Sequence, residues 1–153
     1  MKKTLLVVHH TVSPAMHALF LAVMEGARDP SIGEVEVVVR PALAAAAVDV
    51  LQADGYLLGS PVNLGYLSGA LKHFFDQVYY PCLDATRRRP FGVYLHANND
   101  ATGALRALDA ITAGLQWRAA QAPLVVTGEP HQSDFDAARE LGGALAAGLT
   151  LED

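Results

Sequence analysis

The chain has 153 residues, of which 52% are hydrophobic and 18% charged, and a formal net charge of −5. That is enough apolar material for a single domain, residues 1–153, with a substantial core. The acidic balance leaves no electrostatic footprint for nucleic acid, and the lone cysteine, Cys82, excludes an internal disulfide and a cysteine-based zinc site.

Apolar runs are broken within about ten residues, short of the roughly twenty that span a bilayer. Met1-Lys2-Lys3 opens like a signal peptide, but Thr4 to Val8 is too short for an apolar centre and His9-His10 ends it. A cytoplasmic protein is expected.

Thr4 to Val8 is continuously apolar, which suits a central parallel strand covered on both faces. Ser13-Pro14 then supplies a helix N-cap with proline at the first helical position, and Met16, Leu19, Phe20, Val23 and Met24 follow at helical spacing as far as Gly26. Glu34 to Arg40 reads as the second strand, stopped by Pro41, and alanine-rich Ala42 to Ala53 as the second helix. Asp54 to Ser60 is the third strand. It runs into the loop Pro61-Val62-Asn63-Leu64-Gly65-Tyr66-Leu67-Ser68-Gly69, whose small residues admit backbone to a flat ring or an anion. Leu71, Phe74, Phe75 and Val78 mark a helix that ends by Pro81. The basic run Arg87-Arg88-Arg89 reads as a solvated turn. Pro90 to Leu95 is the fourth strand, and a polar loop from His96 to Gly103 leads into a helix from about Ala104 to Gly114. Pro123 to Gly128 is the fifth strand and Asp134 to Leu149 the closing helix.

Strict alternation of strand and helix implies an α/β fold, a five-stranded parallel sheet with helices on both faces. The connections after strands one, three and four are polar and rich in small residues, whereas strand two passes through Arg40-Pro41 almost directly into its helix. In the order 2-1-3-4-5 those three loops meet at one site beside the topological switch point.

His9 to His17 carries two hydroxyls and no acid and opens onto a helix N-terminus, a setting that suits a phosphate. The alternative is that Ser13 only caps the helix and Thr11 is a loop residue. There is no Gly-rich stretch ending in Lys-Ser/Thr, no fingerprint of three spaced glycines and no Gly-x-Ser-x-Gly elbow. His9, His10 and His17 lack carboxylate or thiolate support, so no metal site is expected.

Thr11 to Met16, the run Pro61 to Gly69 followed by Leu71-Lys72-His73-Phe74-Phe75-Asp76, and the loop His96 to Gly103 together resemble the flavodoxin-like FMN proteins. The likeness is to the NADPH-dependent FMN reductase and NAD(P)H:quinone oxidoreductase branch. This resemblance implies a flavodoxin-like three-layer sandwich over essentially the whole chain. It implies that Thr11, Ser13, Ala15 and Met16 surround the FMN phosphate. Val62, Asn63 and Leu64 then border the isoalloxazine, with Pro61 and Gly65 in the same cofactor-binding loop, and His96, Ala97, Asn98 and Asp100 cover its other edge. Pro14 stands where such phosphate loops usually carry glycine, and His96 to Asp100 lacks the glycine cluster of the quinone reductases. Tyr66 either packs near the ring or is plain loop packing.

The implied activity takes hydride from NADPH or NADH and passes electrons to a quinone, flavin or similar small acceptor. No side chain need act as acid or base, because the flavin does the redox chemistry. Two alternatives remain, a one-electron carrier of the flavodoxin type and a flavodoxin-like binding module without flavin. Many relatives are dimers or tetramers, which implies a homodimer or homotetramer here.

Overall fold

The computed structural model describes residues 2–151. The elements run β1 (Lys3–His9), α1 (Pro14–Ala27), β2 (Val35–Pro41), α2 (Ala47–Gln52), β3 (Gly55–Asn63), β4 (Tyr66–Leu67), α3 (Gly69–Cys82), β5 (Pro90–Ala97), α4 (Thr102–Leu115), β6 (Arg118–Ala119), β7 (Leu124–Thr127) and α5 (Gln132–Thr150). Strands β2, β1, β3 and β5 lie side by side and parallel, and β6 and β7 both pair with β5. This is the flavodoxin-like order 2-1-3-4-5 with its last strand in two pieces. Arg118–Ala119 pairs with the start of β5 and Leu124–Thr127 with its end. Pro123, which has no N–H to give a ladder, lies between the two pieces.

The continuous apolar run of β1 is explained by burial on both sides. Leu6 and Val8 join Leu58, Val93 and Leu95 under α2, α3 and α4, whereas Leu5 and Val7 join Leu57, Tyr94 and Val126 under α1 and α5. No helix of the described residues is long and apolar enough to cross a membrane.

Three features of the pattern reading change most. Helix α2 starts at Ala47 and not Ala42, because Asp49 accepts the Ala46 N–H at 2.9 Å and the preceding residues turn onto the Pro41 carbonyl. Pro81 lies inside the last turn of α3, where its missing N–H interrupts a single helical bond. The third is the basic run, which is more than a solvated turn. Arg87 pairs with exposed Asp84, but the half-buried Arg89 places Nη1 at 3.0, 2.9 and 2.7 Å from the carbonyls of Val50, Leu51 and Ala53. It thereby satisfies the C-terminal carbonyls that α2 leaves open. The same nitrogen lies 3.2 Å from the hydroxyl of Tyr56, which stacks on Trp117 and whose pKa burial pushes up to about 12.

Arg89→Ala is therefore expected to destabilise the fold by about 2–3 kcal/mol through lost charged hydrogen bonds, while Arg87→Ala stays within about 0.5 kcal/mol. Denaturant unfolding followed by Trp117 fluorescence measures both. Equal small effects would mean that the Arg89 contacts are mere surface decoration.

Candidate functional site

Strand β1 ends at His9, and the chain reaches α1 through Ser13 in extended conformation (φ −140, ψ 160). Ser13 Oγ accepts the Met16 N–H at 3.1 Å, Pro14 fills the first helical position, and His10 N–H donates to the Gly59 carbonyl at 2.9 Å. The N–H groups of Thr11, Val12, Ser13 and Ala15 carry no hydrogen bond among the described residues. Open donors beside the positive end of a helix form an anion cradle. Met16 contributes little to it, since its side chain lies in the core and its N–H is held by Ser13. Thr11 Oγ1 sits 2.7 Å from His9 Nδ1, and the His9 ring packs on Phe20. Burial, helped by neighbouring His10, holds the His9 pKa below the ordinary histidine value, so His9 brings no positive charge to the cradle near neutral pH.

The segment after Ser60 is a hairpin and not the open loop that its small residues suggest. Strand β3 continues to Asn63, turns at Leu64 (φ 53) and Gly65 (φ 76), and returns as β4 with Val62 opposite Leu67 and Asn63 opposite Tyr66. Positive φ at both central residues defines a type I′ turn, normally made by Asn-Gly or Asp-Gly. Packing explains most of the small residues. A β-carbon at Gly59 would overlap the Tyr94 ring. Buried Ser60 accepts the Ser68 N–H at 3.0 Å and donates to the Pro61 carbonyl, and buried Ser68 caps α3 by accepting the Leu71 N–H. Pro61 is buried as well, so the part of this segment open to a ligand runs from Val62 to Tyr66. Leu64 projects fully into solvent.

Two clefts open at the carboxyl end of the sheet. A slot of about 330 Å³ has Val62, Leu64 and Gly65 on one wall and Ala97, Asn98, Asn99 and Asp100 on the other. Gly103, at the head of α4, closes against the Gly65 carbonyl so tightly that any β-carbon would overlap it. The second cleft, about 660 Å³, is bounded by Ser13, Pro14 and Ala15, by His96 and Asn98, and by Gly128, Glu129, Pro130 and Phe135. Asn98 lines both, so the two clefts are neighbours. His96 Nε2 lies 2.7 Å from the Gly128 carbonyl, and since a carbonyl only accepts, the imidazole carries a proton there. Asp100 accepts from the hydroxyl and N–H of Thr102, which holds its carboxyl below the usual range and starts α4.

The contribution of Gly128, Glu129, Pro130 and Phe135 is not evident from pattern alone. The available signal was a Gly-x-Pro turn following a strand at this edge of the sheet.

The family model for NADPH-dependent FMN reductase matches residues 7–132, most of the chain and both clefts' walls up to the head of α5. The chain belongs to that family. A flavodoxin of Aquifex aeolicus is 40% identical over 73 residues, and the matched stretch covers 48% of this chain and 38% of that protein. Among solved structures, a WrbA-like flavodoxin from Agrobacterium tumefaciens superposes with a TM-score of 0.78 at 18% identity, covering 99% of this chain and 100% of that one. An archaeal flavodoxin superposes at 0.81 with 14% identity, covering 96% and 99%. The structural likenesses establish the flavodoxin-like fold of this FMN reductase family member.

A leucine held at φ 53 costs about 1–2 kcal/mol that Asn tolerates better. Leu64→Asn is expected to raise stability by about 1 kcal/mol in denaturant unfolding of the flavin-free chain. A loss of stability would contradict the turn described here.

Proposed function

We propose that this chain binds FMN and acts as an NAD(P)H-dependent oxidoreductase that passes electrons to a quinone, flavin or similar small acceptor. The observation that carries the reading is that the cleft beside the open N–H donors at the start of α1 and the slot between the Val62–Gly65 hairpin and Ala97–Asp100 lie next to each other, sharing Asn98. A phosphate suits the first and a flat ring the second. Each cleft, about 660 and 330 Å³, falls within the size range of small-molecule sites.

Bound FMN supplies hydride and electron transfer chemistry, and the chain's own groups bind and orient it. The N–H groups of Thr11, Val12, Ser13 and Ala15 receive the phosphate. Val62 and Leu64 offer an apolar wall, with half-exposed Tyr66 beside them, and Asn98 offers a polar side chain at the junction of ring and phosphate. Nδ1 of His96 has no partner among the described residues and is left as an acceptor in the larger cleft when Nε2 holds the proton. Asn63 lies at the edge of the hairpin and Ala97 on the opposite wall of the slot.

The flavodoxin relative and the flavodoxin structures favour a second reading, a one-electron carrier without pyridine-nucleotide activity. The two separate in one assay. With FMN restored, NADH or NADPH is expected to bleach the flavin absorbance and a quinone to restore it. Reduction by dithionite but by neither nicotinamide would establish the carrier.

The phosphate assignment has its own test. Ser13→Asp keeps a competent N-cap and so should leave folding intact, but it adds a carboxylate beside the cradle. Repulsion at a few ångströms and an effective dielectric near 20 is on the order of several kcal/mol before screening. FMN binding should fall at least about tenfold, or roughly 1.4 kcal/mol, while riboflavin binding changes little. Equal weakening of FMN and riboflavin would remove the phosphate from this loop.

A further inference from the structure

Strand β2 is the outermost strand of the sheet and has β1 as its only neighbour among the described strands. Its register pairs Val38 with Leu6, and Ala42 N–H donates to the His9 carbonyl at 2.8 Å. Residues of even number therefore turn their backbone groups toward β1, and those of Val35, Val37 and Val39 point outward. The outward N–H groups have no partner among the described residues, and the one outward carbonyl in use, that of Val39, accepts from the exposed guanidinium of Arg40 at 3.0 Å.

Edge strands are usually blunted by lysine, proline or a bulge within the strand. Here the only proline, Pro41, is the last residue of β2, and between Val35 and Pro41 the two charges, Glu36 and Arg40, are opposite in sign and placed symmetrically about Val38. Glu36 makes no ion pair among the described residues, and Arg40 makes only a loose one, 3.4 Å from Asp49.

We propose that the outer edge of β2 is a self-pairing surface on which a second copy of this chain docks antiparallel, with the two-fold axis at Val38. In that register Val37 of each copy exchanges both backbone bonds with Val39 of the other. Glu36 then faces Arg40 of the second copy at the closely spaced, non-hydrogen-bonded positions, and the symmetry repeats the pair. Arg40 releases the Val39 carbonyl to the incoming N–H and turns to Glu36. Sliding the copies by two residues one way sets Arg40 opposite Val38 and Glu36 opposite Ala42 and loses the charge match, and sliding the other way sets Glu36 opposite Val38 and leaves Arg40 only Glu34, a residue before the start of the strand. The register is thus selected by the side chains as well as by the backbone. Pro41 of the second copy falls opposite Val35, at the edge of an open groove of about 590 Å³ between this strand and the end of α1. A pairing of one short strand buries less than a standard interface, so the dimer is weak and concentration-dependent.

Sedimentation velocity on the full chain from about 5 to 500 µM tests this, over the range where a small interface self-associates. A dimer that grows with concentration is expected. Glu36→Arg alone and Arg40→Glu alone should each raise its dissociation constant at least about tenfold by setting like charges opposite one another. An equimolar mixture of these two variants should recover a heterodimer, since every cross-strand pair is then of opposite sign. Val37→Pro removes an outward N–H and trims a side chain packed only at the rim of the core, so it should abolish the dimer while far-UV circular dichroism shows the fold retained. A chain that is monomeric across the whole range overturns the proposal, as does a dimer that survives both charge reversals or a mixture that stays monomeric.

Discussion

The upper end of this molecule is organised around backbone donors that the fold leaves unanswered, the N–H groups of Thr11, Val12, Ser13 and Ala15. Leaving them open requires that everything nearby be satisfied by other means. Ser13 caps Met16, Pro14 removes the N–H that would otherwise be next in line, and His10 is tied to Gly59 across the strand gap. The cradle is held on an inner strand of the sheet, whose Leu5 to Val8 side chains are fully covered on both faces. Rigidity below makes the open donors above a fixed site.

Electrostatics then limits what the cradle alone can do. No lysine or arginine lines either cleft, Glu129 and Asp100 are present, and His9 is held neutral by burial. A helix terminus contributes on the order of 0.3–2 kcal/mol toward an anion, too little for tight binding. On the proposed reading the remainder comes from contact with a ring, for which the fully exposed leucine of the strained turn offers apolar surface at the wall of the slot. The hairpin that presents it is fixed from beneath by the Ser60 and Ser68 hydroxyls and from the side by Gly103.

Strand order, the placement of α1 and the convergence of three connections at one sheet edge were legible because each rests on local pattern: a doubly buried apolar run, an N-cap followed by proline, alternation of strand and helix. The hairpin was not, because Leu64-Gly65 lacks the Asn or Asp that signals a type I′ turn, and the serines around it serve packing. Arg89 could not be told from Arg87 or Arg88 by composition, since its role depends on carbonyls of α2 some 36 to 39 residues earlier. The start of α2 was hidden by uniform alanine, which has high helix propensity and no boundary signal. The wall formed by Gly128 to Pro130 and Phe135 belongs to a fifth unit whose strand is split, so its approach to α1 is a tertiary fact.

The most direct test compares backbone amide chemical shifts of the ¹⁵N-labelled chain on adding FMN or riboflavin. Both ligands are expected to perturb the amides of Leu64, Gly65 and Asn98 to Asp100, and FMN alone those of Thr11, Val12, Ser13 and Ala15. Perturbation of the Thr11 to Ala15 amides by riboflavin to the same degree, or of none of them by FMN, would contradict this.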